Sequence, residues 1–252
     1  MAAHDITENS LDGQAILITG AARRVGAEIA RTLHAAGARI LVHYRSSGAA
    51  ARELGDELNA ARAGSAALFA ADLNKQAAPE QVIAAAVEHF GRLDVLINNA
   101  STFYPTSVGS ITPAAWDDLV GSNLRAPLFL AQAAAPHLAR QRGLIVNVID
   151  IHGLRPLKGY PVYSIAKAGL AMLTRSLARE LGPEIRVNGI APGPVLWAEH
   201  DMDESLQREI IAKTALKRPG SPQDIARTAL FLVRDAPYIT GQIIAVDGGR
   251  SI

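Results

Sequence analysis

Seven short runs of aliphatic and β-branched residues alternate with longer alanine-rich stretches of helical period, and that alternation leaves this chain few folds. The runs are residues 15–19, 39–43, 66–70, 93–97, 144–149, 186–190 and 242–246. Between them, residues 25–36, 49–61, 80–90, 114–138, 162–181 and 222–234 repeat their apolar positions as helices do. A strand buried on both faces reads as a nearly unbroken apolar run, and strands joined through helices run parallel. The alternation is continuous, with no internal repeat, low-complexity linker or break in composition. It therefore predicts one α/β domain over residues 1–252, a doubly wound parallel sheet of about seven strands. Residues 1–11 precede the first strand and read as flexible. Residues 192–222 are the least regular stretch and include a mixed-charge helix at 203–213. A long excursion between a strand and the next long helix is where a substrate lid would sit.

Composition removes several classes of function. An apolar content of 49% in 252 residues supplies a substantial core. A net charge of +1, with basic residues scattered, leaves no electrostatic footprint for nucleic acid. With no cysteine, disulfides and thiolate metal sites are excluded. The seven histidines show no paired metal-ligand spacing, so no metal is expected. The first ten residues carry acids and no apolar core, unlike a secretory signal, and no apolar run reaches bilayer length. The expectation is a cytoplasmic protein with no membrane partner.

Thr19-Gly20-Ala21-Ala22-Arg23-Arg24-Val25-Gly26 follows the first strand and opens the first helix. Glycine lets the backbone approach a pyrophosphate, and a helix N-terminus offers it unpaired N–H groups. Such a turn can also be only a tight connection, so its place at the first strand of an α/β alternation carries the argument. The second strand ends in His43-Tyr44-Arg45-Ser46 with no acid. An acid there would bind ribose hydroxyls, whereas arginine and serine suit a 2′-phosphate, with Arg23 able to approach from the turn. NADPH is the cofactor expected. Asp72 and Leu73 follow the third strand, toward the adenine. Asn99 and Ala100 follow the fourth, where side-chain amides can lock the turn beside the ribose.

Tyr163 and Lys167 are one helical turn apart and share a face. A nearby ammonium, with the positive nicotinamide of the oxidised cofactor, favours phenolate and lowers the tyrosine pKa from about 10, which would make Tyr163 an acid near neutrality. Asn123, on the preceding helix, is a candidate contact in a proton relay. Asp150 lies thirteen positions before Tyr163. A carboxylate added to a Tyr/Lys pair suits a substrate in which a nitrogen must be protonated, and points to a reduced pterin. Asp150 read alone is an ordinary turn aspartate, and Phe103 read alone a core aromatic.

Together with Asn98-Asn99-Ala100, Pro192-Gly193 and the closing Ile239-Thr240-Gly241 and Val246-Asp247-Gly248-Gly249, these motifs resemble the short-chain dehydrogenase/reductases. That resemblance covers the chain after about residue 12 and implies a Rossmann-type sheet. Five departures resemble the pteridine reductases within that superfamily: Arg24 for a glycine, His43-Tyr44-Arg45-Ser46, Ser101-Thr102-Phe103-Tyr104-Pro105 after the asparagines, Asp150 for the catalytic serine, and Gly159-Tyr160 before the tyrosine. The resemblance implies that Phe103 stacks one face of the pterin with the nicotinamide on the other. It also implies that Ser101 and Arg24 contact cofactor phosphate and pterin, and that Tyr160, Leu196 and Trp197 wall the pocket. Tyr163 would donate a proton, and Asp150 would act on a pterin nitrogen directly or through water. Pro194-Val195-Leu196 lacks the threonine that often contacts the carboxamide. The implied activity is NADPH-dependent reduction of dihydropterins, extending to oxidised pterins or dihydrofolate, by a homotetramer. A carbonyl reductase acting on a ketone or sugar, and a non-catalytic NADPH sensor, remain open from the residues alone.

Overall fold

The computed structural model describes residues 10–195 and 204–252. Seven strands form one parallel sheet: β1 (Ala15–Ile18), β2 (Arg39–Tyr44), β3 (Ala66–Ala70), β4 (Val95–Asn98), β5 (Leu144–Val148), β6 (Arg186–Pro192) and β7 (Ile243–Val246). Their spatial order is β3-β2-β1-β4-β5-β6-β7. The order reverses between β1 and β4, and ligands bind in the crevice beyond the carboxyl ends at such a point.

Side chains alternate across a strand, so each strand feeds two cores. Ile16, Ile18, Ile40, Val42, Ile97 and Val146 pack to one side with Ile29, Ala30 and Leu33 of α1 (Arg24–Ala35) and Ile225, Ala229 and Leu232 of a later helix, Pro222–Arg234. Leu17, Leu41, Leu96, Ile145 and Val187 pack to the other, against Val82 and Ile83 of the helix Ala78–Phe90 and Leu130, Ala134 and Leu138 of the helix Ala126–Gln141. Full burial of one such Leu or Ile contributes about 1.5–3 kcal/mol. In chain order the helices after α1 are α2 (Gly48–Ala61), α3 (Ala78–Phe90), α4 (Pro113–Val120), α5 (Ala126–Gln141), α6 (Pro161–Glu180), α7 (Glu204–Ala212) and α8 (Pro222–Arg234).

Three expectations change. The single helix expected at 114–138 is two, α4 and α5, joined by a π-helical segment, Gly121–Arg125. Hydrophobic period cannot reveal one extra residue in a turn; the cause is side-chain bonding at Asn123, described below. Second, Leu11, read as part of a flexible leader, is buried and its N–H donates to Ala36 O at 2.8 Å. Leu11 caps the core below α1, so the ordered chain starts before β1. Third, the helix expected at 203–213 is described as Glu204–Ala212, with residue 203 outside the described residues. Of the proposed lid, Pro192–Val195 and the chain from residue 204 are described; the base of the excursion is closed by Gly220 N–H donating to Pro194 O at 3.0 Å. Among the described residues no helix is long and apolar enough to cross a membrane.

Candidate active site

One cleft of about 1110 Å³ runs along the carboxyl ends of the strands. Every described residue assigned from the sequence to cofactor, substrate or catalysis lines it, except Asn123. Leu196 and Trp197 lie outside the described residues.

The turn after β1 is built to bring backbone close to a ligand. Gly20 has φ +60°, and a Cβ there would come within 2.9 Å of Ala100 Cα. A Cβ on Gly26 would come within 2.5 Å of Asn99 Nδ2 and of Gly20 O. Asn99 Nδ2 donates to Thr19 O at 2.9 Å and Gly20 O at 3.0 Å, while Thr19 Oγ1 accepts from the N–H groups of Asn99 and Ala100 at 2.9 and 3.0 Å. Asn99 thus locks the turn, as its position implied. Arg24 holds φ +56°, a left-handed conformation that favours glycine, at the site where the family pattern has one. Arg23 precedes α1 without a side-chain cap, and no acid lies in the first turn. That helix end is therefore compatible with a bound pyrophosphate.

His43 has a role the sequence reading missed. Its carbonyl accepts from Ala21 N–H at 2.9 Å and its Nδ1 accepts from Gly20 N–H at 3.2 Å. Nδ1 as acceptor puts the proton on Nε2, which donates to Ala71 O at 3.1 Å. Burial lowers the imidazole pKa to about 4, so a neutral ring ties the Gly-rich turn to the ends of β2 and β3. Its place at the end of an apolar strand was the only available signal. Arg45 and Ser46 stand exposed at the rim beside it. These features together fit a nucleotide with a 2′-phosphate.

At the opposite end, β5 delivers Asp150 and α6 delivers Tyr163 and Lys167. Tyr163 O–H donates to Asp150 Oδ2 at 2.7 Å, and Asp150 Oδ1 accepts from His152 N–H at 2.8 Å. The second contact caps the short 3₁₀ turn Ile151–Gly153 and fixes the carboxylate's plane. Lys167 is buried, donates from Nζ to Val148 O at 2.9 Å, and sits 5.8 Å from the Tyr163 ring centroid. Burial lowers the Lys167 pKa to about 8, against the upward pull of Asp150.

Among the site's own residues the balance at Tyr163 runs the other way. Burial first, and then the Asp150 charge and hydrogen bond, raise it well above its ordinary value. A neutral serine would exert no such charge effect; a carboxylate accepting the phenol's proton stabilises the protonated form. Asn123 also differs from expectation. It is fully buried behind the wall, where Nδ2 donates to Leu119 O at 2.9 Å and Thr102 O at 3.0 Å. Its Oδ1 accepts from Ser101 Oγ at 2.7 Å. Ser101 also hydrogen-bonds Tyr163. Asn123 therefore holds the π segment and the 101–102 wall together, and reaches Tyr163 through Ser101.

Phe103 is half exposed to the cleft. It stacks on Tyr160 with centroids 4.6 Å apart and planes at 10°, and meets Tyr163 edge-on at 4.8 Å. Leu206, Glu209 and Ile210 of α7, with Lys213, Lys158 and Arg250, also line it. None was singled out from the sequence, which expected a lid with a helix at 203–213 but could not say which of its side chains meet the cleft. Among the described residues no group of three or more His, Asp or Glu could hold a metal ion.

Residues 20–251 match the family model described as enoyl-(acyl carrier protein) reductase. Pteridine reductase 1 of Leishmania tarentolae is 41% identical, over 94% of this chain and 96% of its own length. The 3-oxoacyl-[acyl-carrier-protein] reductase of Staphylococcus aureus (strain N315) is 37% identical, over 92% and 96%. Among solved structures, a blue fluorescent protein from a metagenomic library, in complex with NADPH, superposes with a TM-score of 0.91 at 34% identity. It covers 96% of this chain and 100% of that one.

Proposed function

The chain belongs to the short-chain dehydrogenase/reductase superfamily of NAD(P)-dependent oxidoreductases, and from that premise we propose that it uses NADPH to reduce dihydropterins to tetrahydropterins. The observation that carries this reading is the carboxylate of Asp150 accepting the Tyr163 proton at 2.7 Å, where a carbonyl reductase of this kind ordinarily has a serine. Reducing a C=N bond needs one hydride on carbon and one proton on nitrogen. Bound NADPH supplies the hydride, and the residues handle the proton. Asp150 lines the cleft, and its Oδ2 accepts from the Tyr163 hydroxyl. The ionised Asp150 takes up the Tyr163 proton and hands it to the ring nitrogen, so the carboxylate ends as it began and Tyr163 is left as phenolate. The phenolate left behind lies beside the buried Lys167 ammonium, which stabilises it. Phe103, half exposed to the cleft and backed by Tyr160, offers the flat ring a stacking surface. Ser101, Arg24, Leu196 and Trp197 complete the substrate contacts in this reading.

Residues 192–222 act as the substrate lid, with α7 bringing Leu206 and Ile210 over the cleft. The working form is a homotetramer in the cytoplasm. Half-exposed Leu128, Phe129, Ile165 and Met172 on α5 and α6 support association, and the absence of cysteine suits a reducing compartment. The 3-oxoacyl reductase relatives favour a second reading, reduction of an acyl-thioester ketone. NADPH oxidation against dihydrobiopterin, dihydromonapterin, dihydrofolate, biopterin and an acetoacetyl thioester separates the two. Turnover of a dihydropterin above the thioester is expected; the reverse order would replace the pterin assignment with the ketone one.

A further inference from the structure

A carboxylate used by neither the cofactor contacts nor the proton relay lies between the two ends of the cleft. Asp118, in the last turn of α4, accepts on both oxygens. Asn74 Nδ2 donates to Oδ1 at 3.1 Å, and the Tyr104 hydroxyl donates to Oδ2 at 3.1 Å. The two donors come from different segments at the site, Asn74 from the turn after β3 and Tyr104 from the wall after β4. Asn74 follows Asp72 and Leu73 in the turn after β3 and lines the cleft with them. It is tightly tied: its N–H donates to Asp72 Oδ1 at 3.1 Å, and its carbonyl accepts from Arg125 of the π segment at 2.6 Å. Its Oδ1 is buried without a hydrogen bond against Gly121, where a Cβ would come within 2.4 Å. Tyr104 is the neighbour of Phe103. Its ring packs with Leu119, Val162 and Tyr163, and its hydroxyl also donates to Ala115 O at 3.3 Å.

We propose that Asp118 is a positioning residue that couples occupation of the adenine end of the cleft to the geometry of the 101–106 wall. Nucleotide binding then orders the surface on which the substrate rests. A base and ribose held against Asp72 and Leu73 restrict the turn that carries Asn74. A fixed Asn74 amide fixes one oxygen of a planar carboxylate, and the other oxygen fixes Tyr104. A planar carboxyl group bonded on both oxygens holds its two donors in one fixed geometry, so the link resists slack at either end. The inference rests on the nucleotide cleft and not on the identity of the substrate.

Amide hydrogen exchange of the whole protein, with and without adenosine 2′,5′-bisphosphate, tests it, because that ligand fills only the adenine end. The Thr106 N–H, which donates to Gly159 O at 2.8 Å, is a natural reporter in the wall. In the parent, the nucleotide slows exchange at residues 72–75 and also at 101–106. The second effect is at least about fivefold, the low end of couplings between sites. Tyr104→Phe keeps the ring but cuts the link, so slowing persists at 72–75 and disappears at 101–106. Asp118→Ala has the same outcome. Asp118→Asn restores the coupling, because its amide can donate to the Tyr104 oxygen while its carbonyl still accepts from Asn74. A merely structural Tyr104 would speed exchange equally in both states and leave the nucleotide-dependent ratio intact. An intact ratio in Tyr104→Phe, or protection at 72–75 without protection at 101–106 in the parent, overturns the proposal.

Discussion

Asp150 and Tyr163 share one proton-bearing contact, and the sign of its effect on the tyrosine sets the chemistry available. A phenol held protonated by burial and a carboxylate is a proton store, and in the proposed reaction Asp150 is the group that hands the proton on. Asp150→Asn keeps an acceptor for the Tyr163 hydroxyl but cannot exchange a proton. Its expected result is normal NADPH affinity with single-turnover dihydropterin reduction slowed roughly 10²–10⁴-fold. The same variant removes the charge that raises the Tyr163 pKa, so phenolate absorbance should appear at lower pH than in the parent. Unchanged turnover would assign Asp150 a purely structural part. At the other end of the cleft, Arg45 stands where an acid would select NADH. A hydrogen bond to a charged group is worth about 1.5–3 kcal/mol. Arg45→Ala should therefore weaken NADPH about tenfold to a hundredfold and leave NADH nearly unchanged by titration calorimetry.

The π segment between α4 and α5 is the element that turns a helix into a wall of the site. Within this segment the Asn123 side chain bonds Leu119 O, Thr102 O and Ser101 Oγ together. Glycine at 121 is required because Asn74 Oδ1 occupies the space of a Cβ. Asn123→Ala removes the donor to Leu119 O and Thr102 O and the acceptor of the Ser101 hydroxyl. The expected cost is about 1–3 kcal/mol, read as a lower urea midpoint with an unchanged m-value. Because Ser101 also loses its anchor, pterin affinity should fall more than NADPH affinity. A stability loss with both affinities intact would make the segment a packing feature only.

The molecule as a whole carries a buried histidine in its nucleotide turn, and that couples global stability to pH. Unfolded His43 titrates near 6.5, while folded His43 titrates at about 4 because burial disfavours its charge. Between those values the unfolded chain binds the extra proton, so stability falls as pH falls through the window and is fully present above 6.5. A difference of 2.5 units corresponds to about 3 kcal/mol. His43→Asn, which retains an acceptor for Gly20 N–H, should flatten the urea midpoint between pH 6.5 and 4 relative to the parent. Equal slopes in the two proteins would mean that the ring charges freely in the fold. The depressed carboxyl groups of Asp224 and Asp247, held down by hydrogen bonds from Ser221 and from Gly249 and Ser251, lose stability only lower in the range, as they protonate.

Sheet, strand direction, cofactor turn and the Tyr163/Lys167 pair were legible in the chain because each depends on local pattern: apolar runs, helical spacing, and glycines where backbones must meet. Arg45 and Ser46 were legible too, since the end of β2 is a fixed place in this topology. What local pattern could not carry was the partner of each buried polar group. The neutral His43 bridge, the Asn123 clamp, the raised Tyr163 pKa and the Asp118 link all join residues far apart in sequence: Gly20 to His43, Ser101 to Asn123, Asp150 to Tyr163, Asn74 to Asp118. Periodicity records which side of an element is buried, not which donor from another element will meet it there. Burial then decides charge, and the depth of burial exists only once the sheet and its covering helices have closed.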